Sequence, residues 1–85
     1  MYHVYLLRSN KDSSFYIGYT NDIQRRFQEH NNGLVRYTRS RKPWRLIYYE
    51  TFDSLEDARL RENSLKRFGR AFGQLKRRIK SSLNK

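Results

Sequence analysis

A strand pattern runs directly into a helix pattern between residues 14 and 30, which read Ser14-Phe15-Tyr16-Ile17-Gly18-Tyr19-Thr20 and then Asn21-Asp22-Ile23-Gln24-Arg25-Arg26-Phe27-Gln28-Glu29-His30. The first seven residues mix aromatic and apolar side chains over a strand-sized length. Asn21 with Gln24 three positions later is typical of a capping box, and Gly33 is a typical helix stop. The spacing therefore predicts a helix over about residues 22 to 32.

This helix is predicted to carry polar side chains on its inward side. At about 100° per residue, the apolar Ile23 and Phe27 share one stripe with Arg26 and His30. We therefore expect an arginine and a histidine to face the same neighbours as two core residues.

A second strand pattern precedes the first and predicts a hairpin. Residues 2 to 8 are again apolar and aromatic, and the turn-forming cluster over residues 9 to 13 joins them to residues 14 to 20. Because side chains alternate along a strand, Tyr5 and Tyr16 lie on one face of the hairpin if the connecting loop has an even number of residues. The two phenols could then share one site.

The rest of the chain predicts one more strand and two more helices. Residues 34 to 45 are predicted to form an irregular loop, and residues 45 to 52 a third strand. Ser54, with Asp57 three positions later, marks the start of a helix, Gly69 ends or kinks it, and a final basic helix follows over about residues 70 to 83. We predict an α+β fold in a single domain over residues 1 to 85, with its core at about residues 2 to 68.

One acidic side chain falls on an apolar helix stripe. In the helix that follows Ser54, the stripe consists of Leu55, Ala58 and Leu65, and Glu62 lies on it. A buried carboxylate must be paired, bind a metal ion or raise its pKa. Glu62 is therefore a candidate functional residue.

Composition excludes several classes of protein. The 85 residues contain no cysteine, which excludes a disulfide framework, zinc fingers and thiolate catalysis. The mean hydropathy of -1.05 leans towards disorder, but 15% aromatic residues argue against it. No apolar run approaches the roughly 18 to 20 residues that span a bilayer, and the N-terminus lacks a signal-peptide pattern. We expect a cytoplasmic protein with no membrane partner and monomeric by default.

The charge points to a polyanionic partner. Nineteen Lys or Arg residues stand against eight Asp or Glu, for a net charge of +11. One basic field lies between residues 36 and 45, and a second covers residues 59 to 85, opposed only by Glu62. Such fields attract nucleic acid through phosphate contacts and counterion release. Unspecific solubility and binding to anionic lipid are the alternatives.

Taken singly, the inward polar side chains have ordinary structural interpretations: a packing tyrosine, an arginine whose stem lies along the core, or a satisfied core histidine. Together they would assemble a phosphodiester-cleaving site from Tyr5, Tyr16, Arg26, His30 and Glu62. The arginine would neutralise a phosphate, the glutamate would hold Mg²⁺ or Mn²⁺, and an ionisable group would deprotonate water. A tyrosine of pKa about 10 costs roughly 4 kcal/mol as a base at pH 7, and a histidine of pKa about 6.5 costs less, so this chemistry leaves the base undecided.

Five motifs follow one another in a familiar order. They are His3-Val4-Tyr5, then Tyr16-Ile17-Gly18 with its following helix through Arg26 to Asn31, Tyr37-Thr38, Lys42-Pro43-Trp44, and Ala58-Arg59-Leu60-Arg61-Glu62. In these motifs, from Tyr2 to about Phe68, the sequence resembles the small stand-alone type of GIY-YIG nuclease domain. Related domains cut DNA in homing endonucleases, restriction enzymes, the incision subunit of bacterial excision repair and junction nucleases.

The resemblance implies a three-stranded antiparallel sheet flanked by helices. It also implies that Tyr5 and Tyr16 are the site tyrosines, Arg26 the phosphate-binding arginine, His30 the site histidine and Glu62 the ligand of one divalent cation, Mg²⁺ or Mn²⁺. Which tyrosine acts as the base stays open.

Three positions depart from the family pattern. His3 replaces the first glycine, which is harmless unless the backbone there must approach a ligand. Tyr19 stands where some relatives carry lysine, and neither Asn63 nor Asn84 is a convincing match to a late site asparagine. The last two departures bear on catalytic strength more than on the fold.

We therefore expect a divalent-metal-dependent endonuclease that cuts damaged, branched or single-stranded DNA, with weak sequence specificity and a role in repair or recombination. RNA is a second candidate substrate. The alternatives are a non-catalytic nucleic-acid-binding module on the same scaffold, and a protein that docks an acidic partner through its basic C-terminal helix. Trp44 or Tyr37 could stack on an exposed base, although Trp44 suits a core or lid position slightly better. The remaining predicted nucleic-acid contacts are Arg25, Arg36, Arg39, Arg41, Lys42, Arg45, Lys66 and Arg67.

Overall fold

The architecture is a three-stranded antiparallel sheet with four helices. The structure is a computed structural model that describes all 85 residues. Strands β1 (Tyr2–Ser9), β2 (Phe15–Thr20) and β3 (Trp44–Phe52) are arranged in the order β2-β1-β3. The helices are α1 (Ile23–Asn31), α2 (Leu55–Lys66), α3 (Arg70–Arg78) and α4 (Lys80–Leu83), and a short 3₁₀ turn covers Arg39–Arg41. The predicted α+β fold is confirmed.

The hairpin register places the two tyrosines on one face of the sheet. The last β1–β2 pair is Arg8 with Phe15, and residues 9 to 14 connect these two positions, an even number. Tyr5 therefore lies opposite Gly18, while Tyr16 lies opposite Leu7. The condition set by the sequence is met, and the two phenols are diagonal neighbours on the same face.

The two faces of the sheet carry two separate clusters of buried side chains. On one face, Val4, Leu6 and Ile17 join a core cluster with side chains of α2 and α3, namely Ala58, Leu65, Phe72 and Leu75. On the other face, Tyr5, Leu7 and Trp44 form a smaller cluster against side chains of α1, namely Ile23 and Phe27. The larger apolar core is thus separate from the face that carries the tyrosines.

Helix α1 begins at a different cap from the one predicted. The carboxylate of Asp22, and not the amide of Asn21, accepts the backbone N–H of Arg25 at 3.1 Å. The backbone of Asp22 is extended, as a capping residue requires, and Asn21 instead accepts a bond from the Arg25 guanidinium at 3.4 Å. At the start of α2 the predicted cap is confirmed, because Ser54 accepts the backbone N–H of Asp57.

The predicted basic helix over residues 70 to 83 is interrupted. Helix α3 ends at Arg78, Ile79 leaves helical geometry, and α4 continues for four residues with no buried side chain. No glycine or proline stands at this position, so nothing in the residue pattern marks the break. None of the four helices has the length and hydropathy of a membrane-spanning segment.

A double hydrogen bond ties the end of α1 to the start of β3. The backbone N–H of Trp44 donates to the side-chain oxygen of Asn31 at 2.6 Å, and the Asn31 amide donates to the Trp44 carbonyl at 2.9 Å. Trp44 is only 3% exposed, and its indole N–H donates to the carbonyl of Thr38 at 2.8 Å. Trp44 is therefore a core residue, and its predicted alternative role of stacking on a base is wrong.

Candidate active site

The phenol of Tyr5 lies against the backbone of Gly18. A Cβ atom at position 18 would lie 2.6 Å from the hydroxyl oxygen of Tyr5, 2.8 Å from its Cζ and 3.1 Å from the ring of Tyr16. Tyr5 is only 4% exposed. The glycine of the Tyr16-Ile17-Gly18 motif thus makes room for a tyrosine of the neighbouring strand.

From this position Tyr5 reaches His30 on α1. The Tyr5 hydroxyl lies 2.8 Å from Nε2 of His30, and the ring of Tyr16 lies 4.9 Å from the same imidazole, centroid to centroid. His30 is fully buried, and its Nδ1 lies 2.7 Å from the hydroxyl of Thr38. The structure therefore brings together three of the predicted site residues, Tyr5, Tyr16 and His30, and adds the hydroxyl of Thr38 to them.

Burial keeps this tyrosine–histidine pair neutral. It raises the pKa of Tyr5 to about 12, with the negative charge of Glu62 acting in the same direction and the hydrogen bond and charge of Arg26 opposing it. Burial also lowers the pKa of His30 to about 4, assisted by the positive charge of Arg26 and opposed by Glu29. At pH 7 the resting state is a protonated phenol beside an uncharged imidazole.

Arg26 lies beside the Tyr5–His30 pair and lines one wall of an open cleft. Its guanidinium faces the Tyr5 hydroxyl and donates to Glu29 at 3.1 Å, with about a third of the side chain exposed. The cleft, of about 310 Å³, lies between α1 and the first turn of α2 over the end of β2. It is lined by Tyr2, Tyr19, Thr20, Asn21, Arg25, Arg26, Glu29 and Leu55. Tyr19 therefore lines the cleft with an aromatic side chain.

Glu62 is buried on α2 but already has a cationic partner. The residue is 8% exposed, and its carboxylate lies 3.1 Å from the ammonium group of Lys66, one turn further along the helix. Its negative charge contributes to the raised pKa of Tyr5, so it acts on the tyrosine electrostatically. Lys66, predicted as a nucleic-acid contact, is thus exposed but paired with a carboxylate of its own helix.

Glu62 is not part of a cluster of metal-ligating side chains. No three His, Asp or Glu side chains converge anywhere in the structure. A hard divalent ion at Glu62 would therefore complete its shell with water and phosphate oxygens, which suits Mg²⁺ or Mn²⁺. That a lysine ammonium sits against this carboxylate shows that its surroundings accept a positive charge.

The predicted nucleic-acid contacts are divided between free and engaged side chains. Arg41 pairs with Asp12 at 3.5 Å, and Arg45 donates to the Lys85 carbonyl at 3.0 Å. The exposed members with no ion pair or side-chain hydrogen bond are Arg36, Tyr37, Arg39, Lys42 and Arg67, whereas the exposed Arg25 bonds to Asn21 and lies 4.0 Å from Glu29. Four of these lie on the loop over residues 34 to 43, which meets the site because Thr38 bonds to His30.

The two late asparagines lie outside the cluster of candidate site residues. Asn63 is exposed and lines a separate groove with Glu56, Arg59 and Leu60, and Asn84 is exposed after α4. What sequence reasoning missed is Thr38, which was noted only as part of a motif, and the contact between Gly18 and Tyr5. Neither follows from strand or helix periodicity.

The fold and the buried tyrosine–histidine pair beside an arginine define a catalytic domain of the GIY-YIG nuclease class. The family model described as the GIY-YIG catalytic domain matches residues 1–77, and the chain belongs to this family. The resemblance seen in the sequence is thereby confirmed, and nucleic acid is the substrate class that membership implies.

Within the family, its relatives include small proteins named UPF0213. One from Halobacterium salinarum is 46% identical over 72 residues, covering 84% of this chain and 92% of that protein. One from Clostridium perfringens is 42% identical over 71 residues, covering 82% and 75%. The solution NMR structure of a UPF0213 protein from Bacillus halodurans is 38% identical with a TM-score of 0.54, covering 88% of this chain and 81% of that one.

The contact at Gly18 predicts an unequal response to two glycine substitutions. Gly18→Ala should destabilise the protein by about 1–3 kcal/mol, because the new methyl group overlaps the Tyr5 phenol. Gly73→Ala is the matched control: a Cβ there meets nothing within 4 Å, so in helix α3 it should stabilise by about 0.5–1 kcal/mol. Urea unfolding measures both, and equal stabilities of Gly18→Ala and wild type would contradict the contact.

Burial of neutral His30 predicts a stability that depends on pH. The folded pKa of about 4 lies below the unfolded value of about 6.5, so the unfolded chain binds the proton first as the pH falls. The contribution of neutral His30 to the free energy of unfolding is complete above about pH 6.5 and should decline by about 2–3 kcal/mol between pH 6.5 and 4.

Denaturation at a series of pH values measures this decline. The control is His30→Gln, which cannot titrate, so its stability should vary less with pH over the same window. Identical pH profiles for the two proteins would show that His30 is not held neutral.

Proposed function

We propose that this protein is a divalent-metal-dependent endonuclease that hydrolyses phosphodiester bonds in DNA. The observation that supports this most directly is the buried hydrogen bond from Tyr5 to His30, 2.8 Å long, beside the guanidinium of Arg26. An ordinary core would not bury two ionisable groups against a cation at the margin of an open cleft. The same arrangement suits proton transfer next to a bound phosphate.

Arg26 binds the scissile phosphate in this proposal. One edge of its guanidinium is engaged by Glu29, and the partly exposed remainder borders the cleft. A guanidinium presents five N–H donors in a planar fork that matches phosphate oxygens. Glu29 and the cleft wall orient that fork before substrate arrives, which reduces the entropy lost on binding.

Glu62 would hold the divalent cation in this proposal. When bound there, Mg²⁺ or Mn²⁺ would supply Lewis acidity for the phosphate and lower the pKa of a nearby water. Lys66 must withdraw for this to happen, and its half-exposed side chain can turn to solvent. On withdrawal, the lysine becomes available to neutralise the flanking phosphate.

Tyr5 and His30 accept the proton of the attacking water. With its pKa raised to about 12, Tyr5 does not act as a pre-formed phenolate. Its hydroxyl can instead take a proton from water while its own proton passes to Nε2 of His30, which leaves hydroxide at the phosphorus and a positively charged imidazole. Tyr16, packed against the same ring, is the alternative acceptor.

The exposed basic side chains form the substrate surface. The loop over residues 34 to 43, together with Arg25 and Arg67, contacts flanking phosphates, which carry no sequence information. Tyr37 is 82% exposed and can stack on an unpaired base. We therefore propose a preference for damaged, branched or single-stranded DNA, consistent with a role in repair or recombination, and RNA is the second substrate to test.

A second candidate function is a nucleic-acid-binding module without catalysis. The ion pair between Glu62 and Lys66 favours this alternative, because a paired carboxylate is less available to a metal ion. The two functions share the basic surface and differ in what happens at Glu62.

Cleavage assays with matched variants separate the two functions. Purified protein is incubated with supercoiled, branched and single-stranded DNA and with RNA, in Mg²⁺, Mn²⁺ or chelator. Glu62→Gln should reduce metal-dependent cutting by at least about a hundredfold, because the amide loses the charge that holds the ion. Glu56→Gln, an exposed acid on the same helix, should cut normally. Binding with no cutting by the wild type in any metal would favour the module.

The ion pair itself predicts an effect on metal affinity. Lys66→Met removes the competing ammonium group and should tighten Mn²⁺ binding about two- to fivefold, as expected for loss of a weak ion pair. Lys80→Met, an exposed lysine on α4, carries the same charge change and should leave the affinity unaltered. Titration calorimetry or Mn²⁺ electron paramagnetic resonance measures both, and equal affinities would place the ion away from Glu62.

A further inference from the structure

The hydroxyl of Thr38 lies at the imidazole nitrogen that the proposed reaction does not use. Thr38 is fully buried, and its Oγ1 is 2.7 Å from Nδ1 of His30. Its backbone is fixed on both sides: the N–H donates to the Val35 carbonyl at 3.1 Å, and the carbonyl accepts the Trp44 indole at 2.8 Å. A hydroxyl held this firmly can select which nitrogen of His30 carries the proton.

The Tyr5 side fixes the direction of the first hydrogen bond. A buried phenol must donate its proton to an acceptor, and Nε2 of His30 is the acceptor with which it makes a hydrogen bond. Arg26, the other polar group facing the hydroxyl, can only donate. Nε2 is therefore unprotonated, and a neutral imidazole must then carry its proton on Nδ1.

The contacts of Thr38 fit the same assignment. Its Oγ1 also lies 3.4 Å from the carbonyl oxygen of Val35, which can only accept. With Nδ1 protonated, Oγ1 accepts that N–H, and the threonine proton turns to the Val35 carbonyl, the remaining acceptor within reach. The chain of donors then runs from Tyr5 to Nε2 and, separately, from Nδ1 through Thr38 to Val35.

We propose that Thr38 is a positioning residue that holds His30 in the tautomer protonated at Nδ1, so that Nε2 stays free to accept the proton of Tyr5. The effect of this tautomer on catalysis rests on the function proposed above. In the opposite tautomer, Nε2–H would point at the phenol and the proton could not pass. Thr38 touches neither the cleft nor the phosphate site and acts only through His30.

The tautomer can be read directly from the free protein by long-range ¹⁵N–¹H correlation spectra at pH 7. His3→Gln serves as the background, because it leaves His30 as the single histidine. We expect Nδ1–H in this background and in Thr38→Ser, which keeps the hydroxyl. Thr38→Val keeps the shape but offers Nδ1–H no acceptor, so at least half of the population should shift to Nε2–H.

Two results would overturn the inference. One is Nε2–H as the main tautomer with threonine in place, a measurement that needs no variant at position 38. The other is the same tautomer population in Thr38→Val and Thr38→Ser, with both variants folded.

Cleavage kinetics distinguish this inference from the proposed function. If the protein cuts DNA, Thr38→Val should lower kcat by at least about tenfold with KM unchanged, and Thr38→Ser should restore it. An unchanged kcat in Thr38→Val would overturn the catalytic part. If no protein cuts DNA while the tautomers behave as expected, the proposed function fails and the role of Thr38 in holding His30 is supported.

Discussion

Everything at the candidate site depends on the absence of a side chain at position 18. The phenol of Tyr5 fills the space that a Cβ atom would need, and only from there does its hydroxyl meet the imidazole of His30. Because the hydroxyl is then largely buried beside Tyr16 and His30, the charged forms of Tyr5 and His30 are both disfavoured and both groups stay neutral. A steric constraint between two strands thus sets the protonation state of a residue on a helix.

The larger apolar core lies on one face of the sheet and the candidate site on the other, which allows polar groups to be buried in so small a protein. The cluster built on Val4, Leu6 and Ile17 contains only apolar residues and is the larger of the two. The opposite face carries a smaller cluster, and polar bonds complete it: Trp44 is held by Asn31 and Thr38 as well as by packing. Each buried polar group there has a partner, which is the condition under which such a face is stable.

Residue periodicity was enough to predict the elements and to single out Tyr5, Tyr16, Arg26, His30 and Glu62 as inward polar side chains. Strand alternation put the two tyrosines on one face on condition that the connection between them was even, a condition that the register meets, and helical spacing put His30 and Glu62 on buried stripes, as the structure confirms. The partner of Glu62 could have been foreseen, because Lys66 stands four positions later on the same helix. Thr38 could not, because burial in a loop follows from tertiary contacts and has no period, and the break at Ile79 has no marker in the chain.

The two hydrogen bonds between Asn31 and Trp44 close residues 31 to 44 into a loop. Within this loop, Thr38 makes hydrogen bonds to the imidazole of His30 and to the indole of Trp44. A segment fastened at three points opens as one cooperative unit or stays shut. Hydrogen exchange at the amides of Thr38 and of the end of α1 should therefore give the same free energy of opening. If the proposed function holds, the basic loop that would contact the nucleic acid and the imidazole that would receive the proton loosen together, so substrate binding and proton transfer share a single equilibrium.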